Sequence, residues 1–127
     1  MIVLPWTLSG SPDSATVAQV TRLELRRFRH VPCFLIEALR IRRAAQQAPG
    51  AIGITLRAAP LRRSFWTLSI WTDQASVDAF VGHETHLATM RRFRSLMTGS
   101  RFLAWQLEPG TSPPMWDHAL QRLDNDT

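Results

Sequence analysis

Apolar and polar positions along this chain alternate with two different periods, and each change of period marks a new element. From Thr16 to Phe28, Leu23 and Leu25 alternate with Arg22, Glu24 and Arg26, the two-residue period of a strand with one apolar face. Past Pro32 the period lengthens. Phe34, Ala38, Ile41 and Ala45 recur at helical spacing beside Leu35 and Leu39, while Arg40, Arg43 and Gln47 fall on the opposite side. Pro32 suits the first turn of that helix, where its missing N–H would have no partner, and Pro49-Gly50 stops it. Ile52, Ile54 and Leu56 then alternate with Gly53, Thr55 and Arg57, and a turn near Ala59-Pro60 leads into a second strand, Phe65–Trp71. Thr72 and Asp73 cap a short helix, Asp73–Val81, whose inner face is Val77, Phe80 and Val81. After Gly82 a second helical stretch runs from about Glu84 to Met97, closed by Gly99, and Arg101–Glu108 reads as the last strand. Residues 1–14, with Pro5, Gly10, Pro12 and Asp13, predict a turn-rich lead-in holding at most a short edge strand.

The order β-α-β-β-α-β predicts an α+β, ferredoxin-like antiparallel sheet with its helices on one face. The 127 residues suit one domain, with a core over about residues 16–108 and a tail over 109–127. In that tail Met115–Leu123 predicts a docking helix. The strands carry apolar residues in both registers: Phe65 and Trp71 on one side, Trp66, Leu68 and Ile70 on the other. A sheet apolar on both faces needs a second cover. The expectation is a homodimer with two sheets packed face to face, and Trp116 and Leu120 forming a clasp across it.

Charge changes this picture little. Net charge is +5, and all fifteen basic residues are arginine. They occur as dispersed pairs, Arg26-Arg27, Arg42-Arg43, Arg62-Arg63 and Arg91-Arg92, which predicts a solvated basic surface and no nucleic-acid partner. No apolar run approaches the roughly 18 residues of a membrane span, so no membrane is expected. The segment Met1-Ile-Val-Leu-Pro-Trp has no basic flank, which argues against a signal peptide. A single cysteine, Cys33, fits a reducing compartment, and a cytoplasmic location is expected.

Few residues carry candidate chemistry. On the second predicted helix His86, Leu87, Met90, Phe93 and Met97 share one stripe, which turns the imidazole toward the apolar interior. A histidine so placed is an axial haem ligand, a proton shuttle, a hydrogen-bond donor to a bound aromatic, or a core histidine with both nitrogens satisfied. His83 stands three residues before it, but no third ligand is apparent near Glu84 or Asp78, so no metal site is expected. Strand alternation sets Phe65, Thr67, Ser69 and Trp71 on one face, mixing hydroxyls with rings as a pocket wall for an aromatic ligand does. Cys33 reads as a structural thiol. No Gly-rich phosphate loop, G-x-S-x-G elbow or C-x-x-C motif is present.

Pro49-Gly50, the run Leu61–Asp73, Phe80 and His86 together resemble the dimeric α+β-barrel superfamily. Within it the sequence resembles antibiotic-biosynthesis-monooxygenase-like proteins, nearest a spheroidene-monooxygenase-related branch. The resemblance spans about residues 16–108. It implies a ferredoxin-like protomer, a dimer, and a cavity between sheet and helices. It also implies a small-molecule monooxygenase acting on an aromatic or polyene substrate, either without a cofactor or with haem. His86 is then the catalytic residue, as base or donor, while Trp66, Trp71, Thr67, Ser69, Arg57 and Met90 bind substrate. Haem-degrading members carry their iron-binding histidine one turn later, where this chain has Met90, so their mechanism does not transfer. The alternative is a non-catalytic ligand-binding dimer of the same fold.

Overall fold

The computed structural model describes residues 2–108 and 114–125. Strands β1 (Ile2–Leu8), β2 (Val17–Leu25), β3 (Ala51–Ala59), β4 (Ser64–Trp71) and β5 (Met97–Gln106) form one sheet. Helix α1 (Val31–Gln47) joins β2 to β3, helices α2 (Gln74–Val81) and α3 (Glu84–Phe93) join β4 to β5, and α4 (Trp116–Asn125) follows. The strand order is β1-β3-β4-β2-β5 and every pairing is antiparallel. Without β1 this is the expected ferredoxin-like sheet, with β4 between the two strands that α1 connects.

The lead-in forms more structure than its turn residues suggest. β1 pairs with β3 from Ile2↔Ala58 to Leu8↔Gly53, and its register shifts between Leu4 and Thr7. Pro5 lies within that shift on an edge strand, where its missing N–H breaks no central ladder. Gly53 lets the two strands approach closely, since a Cβ there would strike the side chain of Leu8. At the turn into β3, Gly50 has φ 82°, and a Cβ would collide with Ser76 at the start of α2.

The second predicted helix ends earlier than its apolar stripe implies. It stops at Phe93, a single 3-10 turn covers Arg94–Leu96, and β5 already begins at Met97. Gly99, expected to close the helix, pairs with Glu24 inside the sheet. The side chain of Met97 stays in the core beside Leu25 and Phe93, so the burial signal that suggested a helix is met by a strand.

The two faces of the sheet are covered by different parts of the chain. On one face Leu25, Phe65 and Ala58 pack against Val31 and Phe34 of α1 and Phe93 of α3. On the other, Ala18, Val20, Leu68, Ile70 and Trp105 pack against Ala119 and Leu123 of α4. That second face was expected to meet a partner sheet. Within the chain it is α4 that covers it, and Val20, Leu68 and Ile70 reach 0% exposure beneath it.

Candidate active site on the helix-facing side of the sheet

Alternation along β4 places Thr67, Ser69 and Trp71 beside Phe65, on the face under α1, α2 and α3. Phe65 is fixed at one end by Phe34, ring centroids 4.6 Å apart, and Phe34 meets Phe93 edge-on at 5.2 Å. At the other end Trp71 is buried against Val77 of α2, and its Nε1 donates to Ser69 Oγ at 2.9 Å. The indole thereby locks the serine hydroxyl in the interior, and Ser69 is itself buried.

An aromatic series leads from Trp71 to His86. Trp71 lies 5.5 Å from Phe80, and Phe80 lies 5.5 Å from the His86 ring, which it meets edge-on. Local capping sets this arrangement. Asp73 accepts from Ser76 N at 2.7 Å and starts α2; His83 Nδ1 accepts from Thr85 N at 3.2 Å and starts α3. His83 is thus an exposed cap, and His86, one turn on, faces inward. Met90 follows one further turn along and is half-buried.

The interior disfavours the charged form of His86. Burial pushes its pKa below the ordinary value of 6.5, and the Val81 backbone carbonyl opposes this only in part. Its Nδ1 is buried and makes no hydrogen bond of ordinary geometry among the described residues. A neutral imidazole with a buried, unsatisfied nitrogen is suited to accept or donate a proton at a bound substrate.

The polar lining extends further than β4. Gln19 stands opposite Ser69 and Thr21 opposite Thr67 on β2, and directly paired residues share a face. Across β2, Ala104 and Phe102 of β5 stand opposite Gln19 and Thr21. Phe102 is strongly exposed and forms the open rim of this lining. Gln19 and Thr21 were missed as site residues, although their place in the alternation that produces Leu23 and Leu25 assigns them to this face once register is known.

The expected substrate-binding set therefore divides. Thr67, Ser69 and Trp71 share the face that His86 approaches. Trp66 and Arg57 lie on the opposite, α4-covered face, where they are cross-strand partners and the Arg57 guanidinium sits 5.6 Å from the Trp66 ring centroid. On that side an open groove of about 280 Å3 is lined by Trp6, Pro114, Met115, Trp116 and Asp117, and Trp116 Nε1 is buried without a hydrogen-bond partner among the described residues. Trp105, His118 and Arg122 also belong there, with Arg122 donating to His118 at 2.8 Å.

Haem does not fit the residues around His86. A porphyrin would need open space for its macrocycle against the imidazole, and Phe80 lies edge-on to that ring at 5.5 Å and is itself packed on Trp71. No three His, Cys, Asp or Glu side chains converge to hold a metal ion among the described residues. Cys33 takes part in a different cluster. Arg92 donates to its Sγ at 3.1 Å and to Glu37 at 3.1 Å, and the buried Glu37 also accepts from Arg40 and Thr89, tying α1 to α3.

No protein-family model matches the sequence, and no curated protein matches it. Solved structures do match its fold. SnoaB, a cofactor-independent oxygenase from Streptomyces nogalater, is 21% identical with a TM-score of 0.62, over 79% of this chain and 99% of that one. A proposed antibiotic biosynthesis monooxygenase from Deinococcus radiodurans is 12% identical with a TM-score of 0.68, over 76% and 96%. A proposed monooxygenase from Fusobacterium nucleatum is 11% identical with a TM-score of 0.72, over 82% of this chain but 48% of that one, so this chain spans about half its length. The chain thus has the α+β, ferredoxin-like fold of the antibiotic biosynthesis monooxygenase-like proteins.

Proposed function

We propose that this protein is a cofactor-independent monooxygenase-like enzyme for an aromatic or polyene small molecule, bound on the helix-facing side of the sheet. The observation that carries the reading is His86: a neutral imidazole whose buried Nδ1 has no partner among the described residues, linked through Phe80 to Trp71 on the hydroxyl-bearing side of β4. In the proposed reaction His86 removes a proton from an acidic ring C–H or O–H of the substrate. The resulting anion gives an electron to dioxygen, the two radicals combine, and a C–O bond forms. For a ring methylene, loss of water leaves a carbonyl, so one oxygen atom enters product and the other leaves as water. The substrate supplies all the electrons. Thr67 and Thr21 stand where hydroxyl donors would stabilise the developing oxyanion, and Trp71 and Phe80 would stack the ring system.

Oxygen uptake with an aromatic ketone bearing an acidic benzylic C–H tests this. His86→Gln is expected to lower the rate by about two orders of magnitude or more; an unchanged rate would remove His86 from the chemistry. The second reading, a ligand-binding protein without catalysis, rests on the same lining and predicts binding of the aromatic with no oxygen uptake. In both readings the protein is a homodimer. The strongly exposed Phe102 on β5 and Ile36 and Leu39 on α1 leave apolar surface for a second copy. Light scattering at micromolar concentration should give the mass of two chains, and a stable single-chain mass would remove the dimer.

A further inference from the structure

Two of the arginine pairs that look dispersed in the sequence, Arg26-Arg27 and Arg62-Arg63, come together in the fold with Arg29 and Arg94. Arg26, Arg27 and Arg29 lie between β2 and α1, Arg62 and Arg63 in the turn between β3 and β4, and Arg94 in the turn after α3. Backbone bonds hold these three segments side by side: Leu25 N donates to Arg63 O at 2.9 Å, and Arg26 N donates to Leu96 O at 2.8 Å. The Arg63 guanidinium also sits 4.8 Å from the Phe28 ring centroid, and its Nε has no hydrogen-bond partner among the described residues. No Asp or Glu occurs in residues 26–30, 60–63 or 94–96, and none of the six arginines forms an ion pair among the described residues. Six positive charges at one end exceed the net +5 of the whole chain, so the rest of the molecule is close to neutral.

Two apolar side chains stand in the same region. Leu61, at the turn between β3 and β4, is 88% exposed, and Phe28 is more than half exposed. We propose that this end of the sheet docks on an anionic lipid surface, with the arginines held by headgroup phosphates and carboxylates and Leu61 entering the acyl boundary. Leucine decides between the candidate polyanions. Single-stranded nucleic acid is gripped by aromatic stacking as well as charge; here the one exposed ring of the region, Phe28, is already met by the Arg63 guanidinium, and Leu61, far more exposed, has no ring to offer. An anionic bilayer satisfies both the charge and the protruding apolar group. Docking of this kind needs no spanning segment, and no helix among the described residues is long and apolar enough to cross a membrane.

Co-sedimentation of the full chain with phosphatidylcholine vesicles, with and without about 30 mol% phosphatidylserine, tests the proposal. Binding is expected only with phosphatidylserine, and it should fall at least about tenfold between roughly 50 and 500 mM salt. Leu61→Ser, at a site that packs against almost nothing, should weaken it several-fold. The double variant Arg27→Ala, Arg62→Ala should weaken it about tenfold or more. No binding to the anionic vesicles, or binding that either variant leaves unchanged, overturns the proposal. So does tighter binding to a single-stranded oligonucleotide that Leu61→Ser leaves intact, which would make this end a nucleic-acid surface.

Discussion

The two faces of the sheet are built from the same strands and serve different ends. Under α4, Ala18, Val20, Leu68, Ile70, Ala119 and Leu123 meet with almost no exposed surface and no hydroxyl among them. Under α1–α3 apolar packing runs along β3, where Ile54 and Leu56 meet Ala45 of α1 and Phe80 of α2, while on β4 it gathers at the two ends, around Phe65 and around Trp71. Between them lie Thr67, Ser69, Gln19 and Thr21, polar groups that a purely structural core would exclude. The α4 side is the drier core, its buried Thr55 hydroxyl tied to the Leu4 carbonyl; the helix-facing side carries polar groups unpaired among the described residues and the candidate site. Substitutions should therefore separate cleanly by face.

The largest effects are expected under α4. Leu68→Ala and Leu123→Ala each remove a fully buried branched side chain and leave a cavity, so each should cost about 2–5 kcal/mol in denaturant unfolding. Ile70→Glu, which buries an unpaired carboxylate, should prevent folding altogether. If Leu123→Ala is neutral, α4 does not seal this face in solution, and the face is left for another cover.

A smaller effect, with a particular pH signature, is expected on the helix-facing side. Because burial lowers the His86 pKa, the native chain keeps this ring neutral where the unfolded chain binds a proton. Its contribution to stability is thus fully present above the ordinary histidine value of 6.5 and is lost as the pH falls below it toward the lowered native value. Wild type should lose stability relative to His86→Gln as the pH falls through the ordinary histidine value of 6.5. Parallel profiles for the two proteins would mean that the ring is not held neutral in the fold.

Much of this arrangement was readable in the sequence, because the period-2 and helical patterns are long and agree with their caps. Strands β3 and β4, helix α1 and the Asp73 cap of α2 fall within a residue or two of expectation, and β2 ends three residues before the expected Phe28. Three features were not readable, each because a local signal had two tertiary solutions. The stripe ending in Met97 suits a helix or a strand that returns to the same core. Pro5 suits a loop or an edge strand. The apolar register of Leu68 and Ile70 suits a partner sheet or an amphipathic helix from the same chain, and only the folded chain shows α4 in that place. The division of the site residues was half legible. Alternation alone separates Trp66 from Trp71, yet it does not say which face α1 covers; the contacts of Phe65 with Phe34 do. The convergence of Arg26, Arg27, Arg62 and Arg63 was invisible in sequence, since it depends on strand register at one end of the sheet.

In the proposed reading ligand binds the side of the sheet that carries Thr67 and Trp71, below His86, and not the side that carries Trp66 and Arg57. NMR titration with a small phenolic aromatic reads this directly from the His86 ring and the indole N–H signals. The account predicts shifts concentrated at His86, Trp71, Thr67 and Thr21, with the Trp66 indole unmoved. Shifts centred on Trp66, or on Trp6 and Trp116 in the groove beside α4, with His86 silent, would contradict it.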